Sequence, residues 1–269
     1  MRKVYQNFFG LMREPFAGDL RVEELLETTG TGGVKERVQY AVGNRGVAVV
    51  TGEVGSGKSS ALRLALNNLH PSEYKALIVT ATPGSITELY KQIAWGLDLE
   101  MKTNSRARCL RVIRGTVAEL VESRRLQPFL VVDEANQLSV PVLTELHVIT
   151  QNPQNGEPLF PIILAGQTAL LERLTLRCAS PLASRVIARA HLESISQADM
   201  AVYLQHHIKL AGGKYEIFSD PALLALYQSS GGFYRKANHL TRGALIAAAA
   251  EKCQIVSPEH VRQAATELI

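Results

Sequence analysis

Val47-Ala-Val-Val-Thr-Gly-Glu-Val-Gly-Ser-Gly-Lys-Ser-Ser60 is the stretch on which the fold turns. Val47 to Val50 read as a buried strand, Gly52-x-x-x-x-Gly57-Lys58-Ser59 follows at once, and the helical pattern Ala61-Leu-Arg-Leu-Ala-Leu66 comes directly after. Strand, glycine-rich loop and helix in this order make a cradle for phosphate oxygens. The glycines let the backbone turn so that successive N–H groups point inward, and the helix adds the positive end of its dipole. Gly52, Glu53, Val54, Gly55, Ser56, Gly57, Lys58, Ser59 and Ser60 are therefore the candidate nucleotide-binding residues. Lys58 is expected to reach the β and γ phosphates of ATP, and the Ser59 hydroxyl to coordinate Mg²⁺.

Working outward, Phe129-Leu-Val-Val-Asp133-Glu134 supplies a second buried strand that delivers two carboxylates at its C-terminal edge. Asp133 is the second expected Mg²⁺ residue. Glu134 is the candidate general base for the water that attacks the γ-phosphate. Asp133 lies 74 residues after Ser59, which leaves room for the intervening strand Ala76-Leu-Ile-Val79. Pro161-Ile-Ile-Leu-Ala-Gly166-Gln167 ends another apolar run in a polar side chain at the same sheet edge, so Gln167 can sense the γ-phosphate or orient the water. A last strand is expected at His191-Leu-Glu-Ser-Ile195. Continuous apolar runs separated by helical patterns predict an α/β fold with a parallel sheet covered by helices.

After Ile195 helix punctuation takes over. Ser196 with Asp199, Gly212-Gly213, Ser219-Asp220-Pro221 and Ser257-Pro258 mark starts and stops, which predicts four helices. The third, from Phe233 to about Lys252, holds the alanine-rich Ala244-Leu-Ile-Ala-Ala-Ala-Ala250, suited to close packing. Arg235 opens this helix, where a cation faces the unfavourable end of the dipole, and an anion such as a nucleotide phosphate would compensate it. Residues 1–45 read as an N-terminal lead-in, with Phe8-Phe9-Gly10-Leu11, Pro15-Phe16, and a helix over 34–42 that Gly30, Gly32 and Gly33 interrupt beforehand. The expected organisation is lead-in 1–45, α/β core 46–195 and helical lid 196–269.

Composition narrows the class. Hydrophobic residues make up 46% of the 269, too many for a disordered chain. Cys109, Cys178 and Cys253 are odd in number and never in Cys-x-x-Cys spacing, against a disulfide framework or a zinc knuckle. The adjacent His206-His207 face apart on a helix, so a packed or solvated pair is expected rather than a metal site. With no apolar leader and no 18-residue apolar run, a soluble, cytoplasmic protein is expected.

On these residues the chain resembles the AAA+ ATPases of the ExeA-like group, which includes secretion ATPases and transposition helpers related to TniB and the phage Mu B protein. The resemblance covers nearly the whole length and is carried by Phe9-Gly10-Leu11 with Pro15-Phe16, Gly52 to Ser59, Asp133-Glu134-Ala135, Leu164-Ala-Gly-Gln167 and Gly232-x-x-Arg235. It implies an AAA+ P-loop NTPase core followed by a small all-helical lid, with Gln167 as sensor 1 and Arg235 as sensor 2. It also implies an arginine finger from the helix before the last strand, for which Arg185 fits ahead of Arg189 and Arg177. A finger acts on a neighbour's nucleotide, so homo-oligomers, as rings or helical filaments, are implied. Two features depart from the pattern. Asn136 stands where another polar residue is expected, and the chain reaches Ile269 with no membrane span like that of the secretion members.

Charge then points to a partner. The excess of 29 Lys+Arg over 25 Asp+Glu gives only +4, but residues 101–125 hold seven cations against two carboxylates, a local +5 that leaves the remainder at −1. Leu110, Ile113, Val117, Leu120 and Val121 form the apolar face of a helix there; Arg108 and Arg111 fall well off it and Arg114 near its edge. Lys102, Thr103, Arg106, Arg108, Arg111 and Arg114 are the candidate contacts to double-stranded DNA, through its backbone and with little sequence preference. Five such charges would give a log–log salt slope of about −4.5. The expected function is an ATP-dependent DNA-binding ATPase that assembles on target DNA and recruits or activates a transposase, hydrolysis driving disassembly. The alternatives are a secretion-associated assembly ATPase acting on envelope proteins and a nucleotide-gated interaction module.

Overall fold

The computed structural model describes residues 2–152, 156–213 and 215–267; Met1 and Ile269, on which the reading of the chain ends rests, lie outside them. The described elements are α1 (Arg2–Phe9), α2 (Thr29–Gly43), β1 (Val47–Gly52), α3 (Lys58–Asn67), β2 (Tyr74–Thr80), α4 (Ile86–Gly96), α5 (Arg106–Arg124), β3 (Gln127–Asp133), α6 (Val140–Thr150), β4 (Ile162–Gly166), α7 (Ala169–Leu174), α8 (Ser180–Ala183), β5 (Val186–Leu192), α9 (Gln197–Leu210), α10 (Asp220–Ser230), α11 (Tyr234–Ala250) and α12 (Pro258–Thr266). They fall into two compact units. One is Thr29–Glu53 with Lys58–Leu192; the other is Met1–Thr28, Val54–Gly57 and Glu193–Ile269.

In the first unit five parallel strands are ordered β2-β3-β4-β1-β5. Successive side chains of a strand point to opposite faces, and helices bury both. Val49, Leu77, Leu130, Val132 and Leu164 pack with Leu89 and Ile93 of α4, Ile113 and Val117 of α5, and Leu143 and Leu146 of α6. Ala48, Val50, Phe129, Val131 and Ile163 pack with Val34 and Val38 of α2 and Ala61 and Leu62 of α3. The inner strands β1 and β4 are buried at every residue, as a continuous apolar run requires.

The edges differ from the sequence reading. β5 spans Val186–Leu192 rather than His191–Ile195, and exposed Ile187, Arg189 and His191 alternate with buried or half-buried neighbours. An edge strand is half solvated, so its signature is period two and not an apolar run. β2 alternates likewise, with Ile78 exposed. α2 begins at Thr29, so Gly30, Gly32 and Gly33 lie within the helix rather than breaking it. Each glycine costs about 1 kcal/mol against alanine. The buried stripe Thr31, Val34, Val38, Ala41 and Val42 offsets this, since burying one valine contributes about 1.5 kcal/mol or more.

The second unit holds the four C-terminal helices. The Ser196 side chain accepts the Asp199 N–H and caps α9; Ser219 accepts the Ala222 N–H and caps α10, with Pro221 in its first turn. A Cβ on Gly243 would lie 2.7 Å from that of Ala264, and Ala244 and Ala248 are fully buried, so α11 and α12 approach as the alanine-rich stretch predicts. The first residues of the chain join this unit. They form α1, a helix with no counterpart in the sequence reading, and Tyr5, Phe9, Leu11 and Phe16 pack in the same core as Leu204, Leu240 and Ala244. The His207 ring lies between Phe16 at 5.0 Å and Tyr203 at 4.4 Å, and burial pushes its pKa down to about 4. His206 sits against the Glu24 carbonyl at 2.7 Å.

Candidate functional site

β1 ends at Gly52 and α3 opens at Lys58, so the chain turns within five residues. Gly55 at φ +85° and Gly57 at φ +92° take the left-handed backbone that this turn needs and that other residues adopt at a cost. Lys58 is buried in the first turn of α3, and its Nζ donates to the Gly52 and Glu53 carbonyl oxygens, each at 2.9 Å. A lysine side chain at this position brings N–H donors to the loop, the chemistry that suits phosphate oxygens. The Ser59 hydroxyl donates to Asp133 Oδ2 at 3.3 Å. Ser56 Oγ is buried and has no hydrogen-bond partner among the described residues. Ser60 is half-buried in the same first turn.

These residues fit a magnesium nucleotide. Ser59 and Asp133 are hard oxygen donors already adjacent, the preference of Mg²⁺. Ser56 supplies an unsatisfied hydroxyl, and Lys58 the countercharge to phosphate.

At the far end of β3, Glu134 adopts φ 54°, ψ 35°, a left-handed conformation that costs a non-glycine residue about 1–2 kcal/mol. Its N–H donates to Asp133 Oδ1 at 2.9 Å, which offsets part of the strain and holds the Asp133 carboxylate against the Glu134 backbone. A 3-10 turn, Ala135–Gln137, follows. Asn136 Oδ1 accepts the Gln167 N–H at 2.9 Å, and Thr168 Oγ1 donates to Glu53 Oε1 at 3.0 Å. Thus Lys58, Ser59, Asp133, Glu134 and Gln167 all lie at or after the C-terminal ends of β1, β3 and β4. The sequence reading missed the roles of Asn136, Glu53 and Thr168 in tying these ends together. Gly166 was the available signal, because a Cβ there would lie 2.5 Å from Asn136 Oδ1.

Within the helical unit, the segment Val54–Gly57 meets the start of α11. The Arg235 N–H donates to the Gly55 carbonyl at 3.4 Å, and a Cβ on Gly57 would touch the Tyr234 ring at 3.1 Å. The first turn of α11 carries no acidic residue, and its N-cap, Phe233, makes no side-chain bond. Arg235 is exposed and, with Lys236, His239 and Val54, lines a cavity of about 410 Å³.

The remaining candidates are dispersed. Arg185 lies between α8 and β5 rather than on a helix, half-buried, with Nη1 donating to the His147 carbonyl at 3.2 Å. Arg177 is exposed before α8; Arg189 is exposed on β5. Among the expected DNA contacts, Lys102, Arg108 and Arg111 are exposed. Thr103 Oγ1 accepts the Ser105 N–H at 3.1 Å. Arg106 is ion-paired with Glu145, which also accepts the Tyr90 hydroxyl at 3.3 Å; burial pushes the Tyr90 pKa up to about 12. Arg114 donates to the Val148 carbonyl near the end of α6. Near the apolar edge of its helix, Arg114 reaches the negative end of α6 instead of solvent.

At the junction of α11 and α12, Glu251, Cys253 and His260 come together. His260 Nδ1 accepts the Ser257 N–H at 2.9 Å, so in the neutral ring Nε2 carries the proton and donates to Glu251. That tautomer leaves Nε2 no lone pair for a metal.

A five-stranded parallel sheet in this order, with a glycine-rich loop after β1, an Asp-Glu pair at the end of β3 and a helical C-terminal region, is the AAA+ P-loop NTPase fold. Comparison with known proteins agrees. A family model described as an AAA domain matches residues 41–174. The chain is 29% identical over 268 residues to general secretion pathway protein A of Aeromonas hydrophila, covering 98% of this chain and 48% of that protein, so it spans about half the length of this curated relative. Among solved structures, Cdc6p from Pyrobaculum aerophilum superimposes with a TM-score of 0.73 at 18% identity, over 94% of this chain and 70% of that one. Aeropyrum pernix ORC1 in complex with DNA gives 0.69 at 18% identity, over 94% and 68%. The Thermotoga maritima RuvB Holliday junction branch migration motor gives 0.55 at 18%, over 89% and 70%. No helix among the described residues is long and apolar enough to cross a membrane.

Proposed function

We propose that this chain hydrolyses ATP and that its nucleotide state governs self-association on double-stranded DNA. The observation that carries the ATPase reading is the approach of Ser59 Oγ to Asp133 Oδ2 beside the buried Lys58 ammonium. Lys58 and the backbone N–H groups of the 52–60 loop hold the β and γ phosphates. Ser59 and Asp133 hold Mg²⁺, which when bound offsets the phosphate charge. Glu134 takes the proton of the attacking water and Gln167 orients that water. Arg235 keeps the sensor 2 role implied by the family pattern. A neighbouring copy supplies the finger, from Arg185 or, since Arg185 Nη1 is engaged by the His147 carbonyl, from the exposed Arg177 or Arg189. Turnover of Mg-ATP by the purified chain tests this reading, and a chain that binds ATP without hydrolysing it would refute it.

DNA is the partner that the exposed Lys102, Arg108 and Arg111 support. With three phosphate contacts the log–log salt slope becomes about −2.7. Recruitment of a transposase by the assembled form is the further step that the sequence resemblance to TniB and the phage Mu B protein implies. A second reading, an ATPase acting on envelope proteins, is favoured by the match to general secretion pathway protein A. Duplex binding at low salt separates them: binding that requires ATP supports the first, and none at any nucleotide state supports the second.

A further inference from the structure

We propose that Asn136 is a positioning residue for hydrolysis, holding Gln167 in fixed relation to Glu134 through one side-chain hydrogen bond. The inference rests on the ATPase reading above. The ladder between β3 and β4 pairs Leu130 with Ile162, Val131 with Ile163 and Val132 with Leu164, and ends there. β4 continues along β1 only, pairing Ala165 with Val50 and Gly166 with Thr51. The backbone ladder therefore stops short of the residues whose relative placement the chemistry needs, Glu134 on one strand end and Gln167 on the other. Asn136 spans that gap, its Oδ1 accepting the Gln167 N–H at 2.9 Å.

Two features make this bond a fixed strut. Asn136 sits in the 3-10 turn entered through the left-handed backbone of Glu134, and the Gln137 N–H closes that turn onto the Glu134 carbonyl at 2.8 Å, so Asn136 moves with Glu134. On the other side, residue 166 has to be glycine for the approach, since a Cβ would lie 2.5 Å from Asn136 Oδ1 and 3.1 Å from Asn136 N. Without the side-chain amide, the Gln167 N–H loses its partner and the 167 end is free to shift. A displacement of about 1 Å at a reacting centre can cost on the order of 100-fold in rate. Asn136 lies outside the 52–60 loop that is proposed to hold the phosphates, so nucleotide affinity should be spared.

The test measures single-turnover ATP hydrolysis and ATP affinity on the full chain for wild type, Asn136→Ala, Gln167→Ala and the double variant. The expected result is a turnover loss of about 10- to 100-fold in Asn136→Ala, ATP affinity within about twofold, and little further loss when Asn136→Ala is added to Gln167→Ala. A merely structural role would lower folded fraction or affinity and would multiply with Gln167→Ala. Multiplicative effects, or wild-type turnover in Asn136→Ala, overturn the proposal. Should the alanine variant not fold, Gly166→Ala breaks the same bond from the opposite side, and normal turnover there also overturns it. Absence of hydrolysis in the wild-type chain is a separate failure, which removes the ATPase reading and this inference with it.

Discussion

Two groups of charged side chains in the α/β unit meet opposite surroundings. At the ends of β1 and β3, a buried lysine and a serine hydroxyl follow one strand and Asp133-Glu134 close the other, with Ser59 and Asp133 in contact. Along α5 and the residues before it, six candidate contacts scatter: Arg106 and Arg114 turn into the protein toward α6, Thr103 bonds the chain beside it, and Lys102, Arg108 and Arg111 face solvent. The first group is organised without a partner. The second is organised only if a partner supplies the phosphates. Burial and contact single out a candidate site for chemistry, whereas a local charge of +5 counts cations without saying which are already paired.

The largest expected effect is at the first group. Lys58→Ala should weaken ATP by two to three orders of magnitude, seen by equilibrium titration, because no other side chain at the loop replaces its charge on the phosphates. A comparable loss on Arg108→Ala would erase the distinction between the regions. Next, charge reversal at Arg108 and Arg111 should lower duplex affinity equally for unrelated sequences and flatten the log–log salt slope by at least about 1.8, leaving ATP affinity unchanged. An unchanged slope would leave these arginines as a solvated face. Smallest is the contrast within α5. Arg106→Ala leaves Glu145, largely buried, without its cation and should destabilise by about 1 kcal/mol in chemical unfolding, whereas Arg108→Ala should stay within about 0.5 kcal/mol. Equal effects would show that Arg106 is not committed to the fold.

Much of the geometry of the candidate nucleotide site was legible because its signals are local. Gly55, Gly57, Lys58 and Ser59 are contiguous, and their geometry follows from one strand, one turn and one helix. Asp133 and Glu134 end a continuous apolar run, which buried inner strands require. The misplaced β5 and the late start assigned to α2 share another cause. An edge strand shows only alternation, and helix packing on a sheet overrides glycine propensity, so tertiary contacts decide both. Partners distant in sequence were not legible at all: nothing near Arg106 announces Glu145, and nothing near Arg114 announces Val148. Asn136 read as a departure from the family pattern, and only the neighbouring strand shows what it bonds.

The central claim is that Glu134 promotes hydrolysis at a site that binds ATP without it. Single-turnover hydrolysis by Glu134→Gln, beside ATP affinity of the same preparation, addresses that claim most directly. The account expects turnover to fall by about 10²- to 10⁴-fold with ATP affinity retained and assemblies persisting in ATP. Turnover equal to that of the wild-type chain would contradict it.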